Sequence, residues 1–247
     1  MNKIKWEFTV FYILTFVATI LLAVGQQQMV ISFDIVTLPQ LAPSIAVIIT
    51  VLIYASSKTF LNFRLEKSSL LQTLTALVLP ILVFSIGFYI CKILGLKTSV
   101  TQNLLQSLPI SSVGMLIGAV GEEIGWRGFL QPNLEKKYSV QLSSIITGLM
   151  WGLWHIGHYK NGILFLLGFL LFTTSASVIL RRLLDRTNNN LLVSIMFHFS
   201  VNISFVVFYK NSLTDSKMIL INGILWAMFA VVTSFVKSTT QKINSPQ

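Results

Sequence analysis

Residues 161–180 read NGILFLLGFLLFTTSASVIL, twenty positions without a charged side chain, with Lys160 before them and Arg181-Arg182 after. At 1.5 Å per residue such a run makes about 30 Å of helix, the thickness of a bilayer's hydrocarbon core. Seven further stretches have the same character, roughly 6–25, 38–57, 69–94, 103–126, 139–158, 189–209 and 217–236. All are continuously apolar, without the alternation of a membrane barrel, and helices satisfy their own backbone groups in lipid. The expected fold class is therefore all-α. The chain reads as a polytopic integral membrane protein of about eight transmembrane helices, in one domain over residues 1–247, multi-pass in the cell membrane.

The composition agrees: 54% of the 247 residues are hydrophobic and 11% charged, against roughly 25% charged in soluble domains. The net charge of +10 does not point to nucleic acid, because the basic residues sit between apolar runs and not in clusters with interleaved aromatics. Topology accounts for them. With the N-terminus inside, the cytoplasmic set is Lys3, Lys5, Lys58, Arg64, Lys67, Arg127, Lys136, Lys137, Arg181, Arg182, Arg186, Lys237 and Lys242, and the outer set is Lys92, Lys97, Lys160, Lys210 and Lys217. This is 13 against 5, or 12 against 5 with motif residue Arg127 set aside. The positive-inside rule then puts both termini in the cytoplasm. The assignment hinges on the short loop at 159–162.

The run from Trp6 to Gly25 is longer than a signal-peptide core, and Gln26-Gln27-Gln28-Met29 offers no small-x-small cleavage site, so it reads as a retained first span. Cys91 is the only cysteine, which excludes an internal disulfide. Prolines 39, 43, 80, 109 and 132 fall at or inside spans, where they kink or end helices. Residues 241–247 read as a disordered tail.

Charged groups inside a membrane are costly and mark function. Three patterns concentrate them here: Glu122-Glu123-x-x-x-Arg127, Trp151-x-x-x-His155 and His198-x-x-x-Asn202. Adjacent residues on a helix point about 100° apart, so Glu122 and Glu123 cannot share one role. Glu123 and Arg127, at i and i+4, can neutralise each other, with Glu on the favoured N-terminal side. Glu122 is left without a local partner, which suits a general base. His155 and His158 are expected on one face of the fifth helix, and His198 and Asn202 one above the other on the seventh. Helical rise puts Glu122, His155 and His198 about 22, 24 and 15 Å from the cytoplasmic side, compatible with one site inside the membrane. Trp151 reads as core packing.

At these residues the sequence resembles the CPBP (Abi) family of CAAX-protease and bacteriocin-processing membrane proteases, whose signatures are EExxxR, an aromatic-xxx-His and HxxxN. Trp151 stands where Phe is usual, and the motif core covers residues 122–202. The resemblance implies an intramembrane endopeptidase in which Glu122 activates water with help from His155. His198 and Asn202 would stabilise the oxyanion, and Glu123 with Arg127 would hold and tune the site. It leaves metal use open. A metal-free glutamate mechanism is favoured because it accounts for every residue, whereas two histidines and a carboxylate (His155, His198, Glu122) form a recognised zinc set. His-Glu-x-x-His, Gly-x-Gly-Asp and Gly-x-Ser-Gly are all missing, and His155-x-x-His158 has the wrong spacing for the two-histidine zinc helix.

The expected partners are membrane lipid and a peptide or lipidated protein tail entering from the cytoplasm, in bacteriocin processing or self-immunity; nucleic acid is not among them. A non-enzymatic immunity or scaffold protein binding a peptide or partner helix is the alternative. A proton-relay transporter fits less well, since the halves show no pair of related broken helices.

Overall fold

The computed structural model describes residues 3–33, 35–54, 59–64, 66–100, 104–210 and 214–235. The expected disordered tail, with Lys58, Lys237 and Lys242, lies outside the described residues. The long helices are α1 (Lys3–Gln28), α2 (Ala42–Ile53), α3 (Leu70–Ile93) and α4 (Leu104–Gly125), then, after a short α5 (Gln131–Glu135), α6 (Val140–Trp154), α7 (Ile163–Leu184), α8 (Leu191–Tyr209) and α9 (Ser216–Phe235). All regular structure among the described residues is helical, apart from one isolated bridge between Asn62 and Asn190. Five helices, α1 from Trp6, α3, α7, α8 and α9, are long and apolar enough to cross a membrane by length and composition, and the chain is an integral membrane protein.

Packing follows a ring: α1 on α2, α2 on α4, α4 on α8, α8 on α3, α3 on α9, α9 on α7 and α7 on α6. The ring closes where the Tyr12 hydroxyl donates to the Met150 carbonyl (2.9 Å) and Trp154 Nε1 to Thr19 Oγ1 (2.7 Å). Between α3, α7, α8 and α9 lies an aromatic core in which Phe84 meets Phe172, Phe205, Tyr209 and Trp226 edge-on or tilted. Gly168 on α7 and Gly223 on α9 sit backbone to backbone, an approach any side chain would block.

The structure departs from the sequence reading at three helix ends. The fourth helix does not stop near residue 126; it continues through a π-helical segment, Trp126–Leu130, into α5. Pro132, four residues on, has no N–H to give the Gly128 carbonyl, which instead accepts a hydrogen bond from the Phe60 backbone N–H (2.7 Å). Second, α2 is short: a 3₁₀ turn, Leu38–Leu41, leads into it and the helix ends at Ile53. Third, α6 ends at Trp154, with His155 as its C-cap and a 3₁₀ segment, Ile156–Asn161, following. Leu38–Ile53 and Val140–Trp154 measure about 24 and 22 Å along their axes, both short of a bilayer core of about 30 Å. His155 and His158 therefore do not share an α-helical face, although their rings stack, 5.9 Å apart and 9° from parallel.

Irregular backbone completes these short elements. Gln26, fully buried near the end of α1, serves the turn before α2: its Nε2 donates to the Ile31 and Val36 carbonyls and its Oε1 accepts from Leu38 N–H (2.8 Å). Polar backbone is tolerated at such depth only when protein satisfies it in this way. The segment lies along a row of glycines on α4, and a Cβ on Gly114, Gly118 or Gly125 would collide with Ile35, Gln40 or Pro43 respectively.

Candidate active site

Four elements converge on one buried cluster. Glu122 and Glu123, in the last turn of α4, are fully buried, and Arg127 follows on the π segment at 3% exposure. Arg127 Nη1 lies 2.8 Å from Glu123 Oε1, the expected i, i+4 pair. The same oxygen accepts a 2.7 Å hydrogen bond from His198 Nδ1 on α8. Because a carboxylate only accepts, Nδ1 carries a proton and Nε2 is the free ring nitrogen, 3.7 Å from Glu122 Oε2. The two glutamates thus divide their tasks as their angular separation requires, and both face His198.

Glu122 is not left unpartnered. Gln40 Nε2, from the turn before α2, donates to its Oε1 (2.9 Å), and Trp151 Nε1, from α6, donates to its Oε2 (2.7 Å). These are neutral donors, so they orient the carboxylate without neutralising it, and each oxygen keeps a lone pair for a further proton. Trp151, read from the sequence as packing, therefore holds the carboxylate, and its ring also lies 4.9 Å from the Arg127 guanidinium. Gln40 was missed. Its signal was a lone amide between Pro39 and Pro43 inside an apolar run, and Gly118 gives it room, since a Cβ there would occupy the amide's place.

His155 Nδ1 lies 2.8 Å from the Trp151 carbonyl. A carbonyl can only accept, so Nδ1 is protonated and Nε2 presents a lone pair. Asn202, one turn beyond His198, has a buried Nδ2 that makes no hydrogen bond with the described residues. Glu122, Trp151, His155, His198 and Asn202 line one cavity of about 390 Å³, and the remaining walls are chiefly apolar, with Phe165, Phe169, Phe172 and Phe205 prominent. Glu123 and Arg127 lie behind His198 and do not line it. The cavity thus brings together a carboxylate acceptor, an imidazole with a free nitrogen and an amide donor at the end of an apolar chamber. Such a set can move a proton and stabilise a developing negative charge.

Among the described residues no three His, Cys, Asp or Glu side chains come together at a spacing that would hold a metal ion. Both imidazoles engage Nδ1, with the Trp151 carbonyl and the Glu123 carboxylate, which leaves Nε2 as the nitrogen turned to any ligand, while Glu122 is held by Gln40 and Trp151.

Residues 103–204 match the family model described as type II CAAX prenyl endopeptidase Rce1-like. Lysostaphin resistance protein A from Staphylococcus aureus strains bovine RF122 / ET3-1, Newman and USA300 is 28% identical over a 241-residue alignment covering 93% of this chain. The chain spans 57% of the length of these curated relatives. With all three motifs inside the matched segment and their side chains gathered at one cavity, the chain is similar over that segment to the CPBP family of membrane proteins.

Proposed function

We propose that the protein is an intramembrane endopeptidase of the cell membrane that hydrolyses a peptide bond in a membrane-associated peptide or protein tail. The observation that carries this reading is the placement of Glu122 in the cavity, fixed by Gln40 and Trp151 with His198 Nε2 3.7 Å away. Glu122 takes a proton from a water whose oxygen bonds to the scissile carbonyl carbon. His155 Nε2 orients that water. The carbonyl π pair moves onto oxygen, where Asn202 Nδ2 and doubly protonated His198 donate to it; Glu123, bonded to His198 Nδ1, supplies countercharge for that imidazolium. As the C–N bond breaks, the proton held by Glu122 passes to the leaving nitrogen, giving an acid and an amine. Glu123 and Arg127 position His198. A donor aimed at the oxyanion is typically worth about 10²–10³ in rate.

This route uses the chain's own residues alone. The test is cleavage of a peptide library by the purified protein in detergent, wild type against Glu122→Gln, each repeated after exhaustive chelation. Turnover lost in the nearly isosteric variant, with folding unchanged and with chelation harmless to wild type, is the expected result. Equal cleavage by both proteins would remove Glu122 as the base, and activity restored by zinc after chelation would replace the metal-free route.

A second reading, a non-enzymatic immunity or scaffold protein, is favoured by the name of the relatives, lysostaphin resistance protein A. It predicts that any protective role in cells survives Glu122→Gln, His155→Ala and His198→Ala singly. The protease reading predicts that each abolishes it at normal membrane levels of protein.

A further inference from the structure

The cavity has a direction. Helices α4 and α7 run toward the end of the bundle where α1 starts, and α6 and α8 run away from it. On α8 the lining residues run from His198 through Asn202 and Phe205 to Lys210; on α7 they are Phe165, Phe169 and Phe172, in its first half. Ser111, Gly114 and Met115 line it on α4, all preceding Glu122. Every wall therefore rises from the polar cluster toward one end, where α2 begins and α6 ends and the residues Phe33, Ile35, Val36 and Thr37 before α2 and His158 after α6 take over.

The opposite end is closed. Beneath His198 and Glu123 lie Trp126, Phe129, Leu130, Leu191 and Ile195, none more than 3% exposed. Below them the chain at 60–64 crosses the bundle and is fastened there. Phe60 N–H donates to Gly128, Leu191 N–H to the Asn62 carbonyl (2.7 Å), and Asn62 Nδ2 to the Asn188 carbonyl (2.9 Å). The left-handed backbone of Asn188 and Asn189 (φ 51° and 55°) shapes the turn that receives it.

Charge says which end is which. Setting Arg127 aside, the described residues include fourteen Lys and Arg, and all but Lys92, Lys97, Lys160, Lys210 and Lys217 sit at the closed end. A nine-to-five bias makes the closed end cytoplasmic by the positive-inside rule. The geometry points to a site loaded from the extracytoplasmic side, by an apolar stretch of polypeptide presented at the outer membrane surface. A volume of about 390 Å³ is near the small end of ligand pockets, which span roughly 300–1,000 Å³. It suits one bulky apolar side chain with its flanking peptide bonds, the side chain among Phe165, Phe169 and Phe172 and the scissile carbonyl at Asn202. This reverses the cytoplasmic entry expected from sequence. The choice of a peptide rests on the protease reading, whereas the side of access does not.

The experiment separates the two. In a Cys91→Ala background, Thr37→Cys and Met115→Cys each place one thiol on the cavity wall, away from the reacting groups, and Lys136→Cys marks the closed end. A membrane-impermeant, negatively charged thiosulfonate is applied to intact cells and to inside-out vesicles. The wall thiols are expected to label in intact cells and not in inside-out vesicles, with Lys136→Cys behaving the opposite way. Wall labelling from the inside-out face alone would overturn the proposal. In the second arm an impermeant apolar peptide is offered to the wild-type protein in vesicles of either orientation. Cleavage only in right-side-out vesicles supports the proposal, and cleavage only in inside-out vesicles overturns it. Outer labelling with no cleavage in either orientation would sustain the access route and reject the peptide substrate.

Discussion

Glu123→Gln tests whether the buried pair with Arg127 is held by charge. The guanidinium is 1% exposed, and its only hydrogen bond with the described residues runs from Nη1 to Glu123 Oε1. The amide oxygen of Gln keeps an acceptor where Oε1 stood, so the bonds from Arg127 and His198 survive in shape and only the countercharge is lost. Stranding a buried charge typically costs about 3–5 kcal/mol, whereas replacing both partners by neutral groups is often nearly neutral. With global stabilities of about 5–15 kcal/mol, the single substitution removes at least about a fifth of the total. Glu123→Gln/Arg127→Met leaves no charge to strand. It forfeits the contact of Arg127 with the Trp151 ring, about 0.5–2 kcal/mol, and is expected within about 2 kcal/mol of wild type. The assay is reversible unfolding in mixed micelles, titrated with denaturing detergent and followed by tryptophan fluorescence, for wild type, both singles and the double. A double variant more stable than Glu123→Gln alone is the expected sign of coupling. A double variant as unstable as the sum of the singles would refute the argument and leave the pair as ordinary packing.

Trp151→Phe and Gln40→Met each delete one donor to the Glu122 carboxylate. Hydrogen bonds to charged groups are worth about 1.5–3 kcal/mol, so each should lower kcat/KM by roughly 10- to 100-fold in the peptide assay while the protein still elutes as a folded species. Asn202→Ala should lower kcat by about 10²–10³ with little change in unfolding free energy, because Nδ2 bonds no described residue in the resting protein. Gly125→Ala drives a methyl group into Pro43; overpacking of this kind costs about 1–3 kcal/mol, measurable by the same detergent titration.

Much of this was legible in the sequence because lipid restricts the choices. Unbroken apolar runs can only be helices, and the runs at 69–94, 189–209 and 217–236 fall within two residues of α3, α8 and α9. The i, i+4 spacing of Glu123 and Arg127 fixed their pairing, since both lie on one continuous helix. What failed did so where local pattern stops being informative. A π turn leaves no mark in composition, so the continuation past Trp126 could not be read. The end of α6 at Trp154 was hidden because the apolar run continues through Ile156. The partners of Glu122 lie on other helices, Gln40 and Trp151 being 82 and 29 residues away, and no periodicity relates residues across a bundle. The glycines at 114, 118, 121 and 125 were the one written hint that a neighbouring backbone comes close to α4.

The short second helix has a consequence for how the protein is made. Leu38–Ile53 spans about 24 Å, and Gln26 satisfies the turn before it, yet the surface that turn rests on is the glycine row of α4. That surface is synthesised only after α3 has left the ribosome. Until then the first hairpin stands in the lipid with irregular backbone against hydrocarbon, a state in which membrane segments are poorly tolerated. A waiting stage in biogenesis, ended when α4 arrives, is the expected consequence. Nascent chains stalled after α3 should be held by insertases or degraded, while chains stalled after α4 persist, which ties the earliest assembly step of the protein to the same contact that brings Gln40 to Glu122.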